Sequence, residues 1–476
     1  MKTIISRWCL AGVMAIALSS CGNFFEESSQ DEIKPSTVED LQATFFHDGY
    51  PYNFNSDAYL NLLTDEVQNN GLTDDHYADR LKIGQPVFTY NPDMFEGNLS
   101  FINDENSWKN YYTLVMGCNV TLDYVDQMTG STQAKQNLKG QARLLRAFYF
   151  LKLASIYCQP YANDPDHNLG ISLITSSAVN DAYPSRSTLR QTYDFIESEL
   201  KQAKEELKDY KPTTHYRVTA ECADILLSRL YLYEEKWDEC IAAADEAIKN
   251  GPQLTNFNSL LGKDAIVYDA SSSEVVWNYQ GKFYDSEYIN RNDIWSTAIP
   301  YTLDTKVASL YDQTNDLRYS KYVNKYSSSF IVSKVSFNSQ YDGEHGLRMA
   351  EAYLNRAEAY ARKSVEGDAA AAAKALADLN TLRESRYANG TYSPVSDLQG
   401  QKLLEFTLQE RQRELVWEDG FRWIDIKRNH LSVTHVYTDD TGASHQYTLK
   451  ADDPLYALPI PASALSRNPN LQQNPR

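Results

Sequence analysis

The sequence predicts a mainly α-helical protein: helix pairs stacked into a scaffold, long irregular loops and minor β-structure. Three observations predict it. Glu221–Leu254 reads as two amphipathic helices joined by a tight turn. Several other stretches between 107 and 428 carry apolar residues at three- and four-residue spacing. Between them, 255–345 loses that spacing and fills with aromatics and amides, which is too long for a plain connector.

In Glu221–Leu254, Ala223, Leu226, Leu227, Leu230 and Tyr231 share one face of the first helix. The turn falls near Glu234–Lys236, and Trp237 opens the second helix. There Ile241, Ala244, Ala247 and Ile248 form the apolar stripe, and Asn250-Gly251-Pro252 stops it. The pattern Leu227, Tyr231, Trp237, Cys240, Ala244, Ala247, Pro252 resembles a tetratricopeptide repeat, departing from it at Asp224 and Ser228. A lone helix pair cannot bury both of its apolar faces, so the rest of the chain must supply neighbours.

The net charge of −19 repels phosphate backbones, and no basic cluster offsets it, so nucleic-acid binding is not expected. Tyrosine is abundant, with 34 residues. It suits a wet, sugar- or peptide-facing surface, and it also finishes helix packing. Of six cysteines, Cys118, Cys158, Cys222 and Cys240 match no zinc spacing. Cys222 and Cys240 take small buried positions on the two halves of the repeat and read as free thiols. No cofactor or metal is expected.

Taken in order, residues 1–20 read as a secretory signal: a basic start, an apolar run too short to span a bilayer, and small residues at its end. Leu18-Ser19-Ser20-Cys21 resembles the bacterial lipobox, which implies cleavage before Cys21 and its acylation. Residues 21–36 form an acidic, Ser/Gln-rich tether. Residues 37–60 carry a mixed helical signal, and Asn53–Met94 reads as polar loop. Helix resumes over Ser107–Met128 and over Gly140–Tyr157, the latter apolar almost all round and therefore buried. Asp164, Asp166 and Asn168 lack the Gly and Glu of a calcium loop and read as a polar turn. Another helix begins at Ser187, ahead of the repeat. Within 255–345, VVWNYQ alternates like a strand.

Leu347–Arg362 is helical, with Ala350, Tyr353, Leu354, Ala357 and Ala361 as its packing face. Arg348, Glu351, Asn355, Glu358 and Arg362 form a second stripe whose charges can pair along the helix. After a Gly367-Asp368 turn, Ala369–Leu382 completes a second helical hairpin. The last long helix runs from Leu403 to Arg428 with a kink at Gly420, and a Pro-punctuated tail follows. Trp108, Trp277, Trp417 and Trp423 read as core.

The lipobox, ARLLRAFYFLKLASIYCQPY, LRMAEAYLNRAEAYAR, LQERQRELVWEDGFRWIDIKR and YALPIPASALSRNPNLQQNP occur in that order. This combination resembles the SusD/RagB family of Bacteroidetes outer-membrane nutrient-binding lipoproteins, over nearly the whole chain. The resemblance implies about four tetratricopeptide-like helix pairs in one domain, 37–476, with helices roughly over 107–254 and 347–428 and a loop-rich insertion at 255–345. It also implies lipid anchorage on the extracellular face of the outer membrane, and a TonB-dependent SusC-like transporter as partner. Its members mostly bind glycans, while a RagB-like branch binds peptides, and they are not enzymes.

A surface glycosidase is the remaining alternative, because Glu410, Glu414, Glu418, Asp419 and Asp425 crowd one segment. Arg411, Arg413, Arg422, Lys427 and Arg428 interleave with them, and ion pairs bracing a helix junction account for the pattern better. For ligand capture, aromatic, amide and charged side chains are wanted on loops held by a rigid scaffold. Two stretches qualify: Tyr284, Tyr288, Asn290, Arg291, Asn292, Asp293 and Trp295; and Asp74, Asp75, Tyr77 and Arg80, with Tyr50 and Tyr52 nearby.

Overall fold

The computed structural model describes residues 35–51, 57–72, 78–96, 106–178, 183–260, 267–268, 272–279, 299–326, 329–332, 334 and 345–476. Eleven helices of eight or more residues stand among these: α1 Val38–Asp48, α2 Ala78–Phe88, α3 Ser107–Tyr124, α4 Thr132–Tyr157, α5 Leu189–Leu207, α6 Ala220–Tyr233, α7 Trp237–Asn250, α8 Met349–Val365, α9 Ala369–Glu384, α10 Gly400–Leu415 and α11 Phe421–Arg428. The helix starts are chemically marked. Thr37 and Thr188 build capping boxes, while Ser131 and Asp368 accept hydrogen bonds from first-turn amides.

The helices pair in sequence, α3 on α4, α6 on α7 and α8 on α9, and successive pairs stack. The tetratricopeptide-like pair at 221–254 is α6–α7, and Glu235 turns between its helices with φ 60°. From Leu138 onward almost every residue of α4 is buried, as its all-round apolarity predicts. Gly117 of α3 meets the turn after α1 so closely that a Cβ there would lie 2.3 Å from the Asp48 carbonyl oxygen. Cys118, Cys158, Cys222 and Cys240 are buried and free.

The insertion holds most of the β-structure. β1 Val67–Asn69, β3 Tyr301–Leu303, β5 Ser329–Val332 and β4 Val323–Tyr326 make a four-stranded sheet in that order. β2 Val275–Tyr279 pairs antiparallel with β6 His345–Arg348. β7 Val433–Thr438 and β8 Ser444–Leu449 form a hairpin beside β1.

Three sequence expectations need correction. Asn53–Met94 is not simply loop: it holds a 3₁₀ turn at Ala58–Leu63, β1 and the whole of α2, which tolerates Pro86 in its interior. The last long helix is not merely kinked. It breaks over 416–420, where Trp417, Asp419 and Gly420 all take positive φ. The charged stripe of α8 is buried and pairs mainly across elements: Glu351 with Arg229, Asn355 with Arg411, and Glu358 with Arg428. Along the helix itself, Arg362 pairs with Glu358 and Asn355 donates to Glu351 at 3.4 Å.

Gly117→Ala is expected to cost about 1–3 kcal/mol, because the new methyl has only backbone to push against. Urea denaturation read by circular dichroism checks it.

Candidate functional site

α10 carries the charge that organises this part of the molecule. Glu414 is fully buried and accepts from three guanidiniums: Arg318 at 2.9 Å, Arg386 at 3.0 Å, and Arg348. Glu410 accepts from Arg318 and Arg413, and Glu274 on the approach to β2 accepts from Arg348 and Arg386. One turn beyond Glu414, Glu418 takes Arg348 at 2.8 Å and Lys334 at 2.7 Å. Burial by itself would raise these carboxyls, but the adjacent guanidiniums outweigh it. Glu410 and Glu414 are held well below the usual carboxylate range, and Glu418 is lowered to about 2. Groups so committed neither donate a proton nor attack a glycosidic bond, which disfavours a glycosidase centre here.

Past the break, Asp419 and Lys152 form a second buried node. Lys152 is the one lysine in the buried C-terminal half of α4. Its Nζ lies 2.8 Å from an Asp419 carboxylate oxygen and 2.7 Å from Asp57, and donates to the Asp419 carbonyl at 2.9 Å. Tyr279 at the end of β2 donates to Asp419 at 2.8 Å, Tyr111 of α3 donates to Asp57 at 2.7 Å, and His345 at the start of β6 lies 3.7 Å from Asp419. Burial opposes charge at both members. Even so, Lys152 holds Asp419 far below its ordinary value, and Asp419 with Asp57 holds Lys152 above its own. Asp57, Tyr279 and His345 directly flank the segments 52–56, 280–298 and 335–344. One ion-pair cluster thus fixes a root of each.

The other end of 280–298 is tied to the early loop. In the β1–β3 pairing, Asn69 lies opposite Tyr301. The Asn70 amide donates to Pro300 O at 2.8 Å, and its side chain donates to Ile299 O at 3.0 Å. Tyr301 docks α2 in turn. Its hydroxyl donates to Leu81 O at 2.8 Å, and its ring lies against Gly84, where a Cβ would come within 2.4 Å. The two stretches singled out from sequence, far apart in the chain, are therefore rooted side by side.

Tyr284, Tyr288, Asn290, Arg291, Asn292, Asp293, Trp295, Asp74, Asp75, Tyr77, Tyr52 and Cys21, the residue expected to be acylated, lie outside the described residues. Arg80 is half-buried in the first turn of α2. Tyr50 is not available to a ligand: it is buried, donating to Gln141 and accepting from the Val218 amide. Trp108, Trp277, Trp417 and Trp423 are core, as expected. Sequence reasoning missed Lys152, although a single lysine in FYFLKLASIY was its signal. Among the described residues, no cluster of His, Cys, Asp or Glu is placed to hold a metal ion.

A stack of helix pairs with small sheets set into it defines a tetratricopeptide-like scaffold protein. The chain belongs to the SusD family. Residues 275–476 match the SusD family, and 43–232 match a family described as starch-binding, associating with the outer membrane. The chain is similar to SusD-like protein P2 of Formosa agariphila, 24% identical over 421 residues, covering 77% of this chain and 79% of that one. Its fold is similar to a SusD superfamily protein of Bacteroides thetaiotaomicron, with TM-score 0.72, 23% identity, and coverage of 92% and 100% of the two chains. A putative sugar binding protein of Bacteroides vulgatus is also similar, with TM-score 0.70, 22% identity, and coverage of 93% and 99%.

Lys152→Met strands Asp57 and Asp419 without their buried partner and is expected to cost about 3–5 kcal/mol in urea unfolding. Acid should act on the same network. The Glu418 carboxyl titrates near 4.5 when unfolded and at about 2 when folded, so its contribution is present above 4.5 and drains away as pH falls toward 2. Unfolding free energies measured between pH 5 and 2 are expected to decline steadily; a flat profile would contradict the pairing.

Proposed function

We propose that this protein captures oligo- or polysaccharide at the cell surface and hands it to a TonB-dependent SusC-like transporter, without chemistry of its own. The observation that carries this reading is the rooting of the early and middle loops side by side on β1, β3 and α2, together with the buried Lys152–Asp419 node at the other end of 280–298. Side chains for stacking on sugar rings and for bonding hydroxyls belong on such loops: Tyr284, Tyr288 and Trp295 as stacking faces, and Asn290, Arg291, Asn292, Asp75, Tyr77 and Arg80 as hydrogen-bonding groups. The family's description as starch-binding supports a glycan over other ligands, and its stated association with the outer membrane supports the location. Acylation of Cys21 would supply the anchor, several chains together giving lasting attachment. No described helix is long and apolar enough to cross a membrane.

Affinity electrophoresis through gels of different polysaccharides tests the reading. The wild type should be retarded by at least one glycan, and Trp295→Ala and Tyr288→Ala should each weaken that retardation about tenfold or more, roughly 1.4 kcal/mol. Peptides co-purifying with a protein that no glycan retards would overturn it, as would reducing ends released by the purified protein. In the native host, Cys21→Ala is expected to abolish palmitate incorporation and to free the protein from the membrane fraction.

A further inference from the structure

A concavity of about 1020 Å³ lies along α3, closed by the stretch through Ser172, Ile174 and Pro184 and by the C-terminal segment at Ser463–Leu471. Its volume sits at the upper end of the range for ligand sites. Trp108, Tyr112, Met116 and Val120 of α3 form an apolar floor with Ile174 and Leu471. Met116 is 40% exposed there, and Tyr183, 50% exposed, precedes Pro184 on the wall. The wall is braced. Asn468 and Asn470 donate to the carbonyls of Pro184 and Tyr183 at 2.8 and 2.7 Å, and the Tyr112 hydroxyl donates to Ser172 O at 2.8 Å.

The charge in this cleft runs against the rest of the molecule. In a chain of net charge −19, its lining carries Lys109, Arg467 and His47 against a single carboxylate, Asp48, which is already engaged with His47 at 2.6 Å. Elsewhere arginines are consumed by carboxylates, carbonyls or rings, as at Arg318, Arg348 and Arg217. Among the described residues, no ion pair, side-chain hydrogen bond or ring contact engages the Arg467 guanidinium or the Lys109 ammonium. An unspent guanidinium fork beside an apolar floor is suited to a carboxylate carried on a body with a C–H face. Thr113, Ser463 and Asn468 also line the cleft and bring hydroxyl and amide groups to it, where a ligand's own hydroxyls would need partners.

We propose that this cleft is a second saccharide site and takes an acidic sugar, a uronate-bearing oligosaccharide, with Arg467 clasping a carboxylate and Lys109 attracting another along the chain. The choice of saccharide over other anions rests on the glycan-capture reading; the preference for negative charge rests on the cleft alone.

Calorimetric titration of the full chain with a short oligogalacturonate, and with a neutral oligosaccharide of equal length, tests it. The wild type should bind the uronate, less tightly as salt is raised. Arg467→Gln should weaken binding about tenfold or more, Arg467→Lys should recover part of the loss, and Lys109→Gln should weaken it less. Both side chains are exposed, so melting temperatures should not move. Absence of uronate binding in the wild type, unchanged affinity in both Gln variants, or equal competition by a polyglutamate peptide each overturns the proposal. Tyr288→Ala separates the two sites: it should weaken retention on neutral glycan about tenfold or more while leaving uronate affinity intact. If the wild type retains no neutral glycan yet binds uronate through Arg467, the loop-face reading falls and this one stands.

Discussion

Glu414 is the constraint on which the rest leans. Three guanidiniums, from the short helix at Leu317–Tyr322, from β6 and from the turn just after α9, converge on one carboxylate with no exposed surface. Placing any of these charges alone in the interior would cost several kcal/mol, so each is tolerable only while the others stay in register. The network therefore acts less as a source of net stability than as a geometric lock. It joins a scaffold helix, α10, to the strands and short helices of the insertion, which a purely apolar interface would hold with less angular definition.

The same segment then turns sharply. Positive φ at Trp417, Asp419 and Gly420 ends α10 and starts α11 in a new direction, presenting Asp419 to Lys152 rather than to solvent. A continuous helix would have carried that carboxylate elsewhere. Asp57, Tyr279 and His345, all gathered at this node, directly flank the segments 52–56, 280–298 and 335–344.

Much of the helical scaffold was legible because periodicity is local. The α6–α7 pair, the buried α4 and the hairpin at α8–α9 all follow from apolar spacing and from stop signals such as Asn250-Gly251-Pro252. The aromatic, amide and charged content of two distant loops was legible from residue chemistry alone. Not legible was α2, whose Gly84, Pro86 and sparse apolar residues imitate a loop; it is held by the Tyr301 ring, more than two hundred residues away. Nor was the fate of the α8 stripe, since three- and four-residue spacing describes surface pairs and buried cross-links equally well.

Sequence by itself determined the helices, the aromatic and amide content of the loops, the surplus of acid, and the segment in which carboxylates and guanidiniums alternate, because each of these is a property of neighbours along the chain. Only the tertiary structure decided which arginine meets which glutamate, that the early and middle loops spring from hydrogen-bonded roots, and that Arg467 is left unspent beside an apolar cleft. Those are distances between residues far apart in the chain, set by how the helix pairs stack, and no local pattern encodes them.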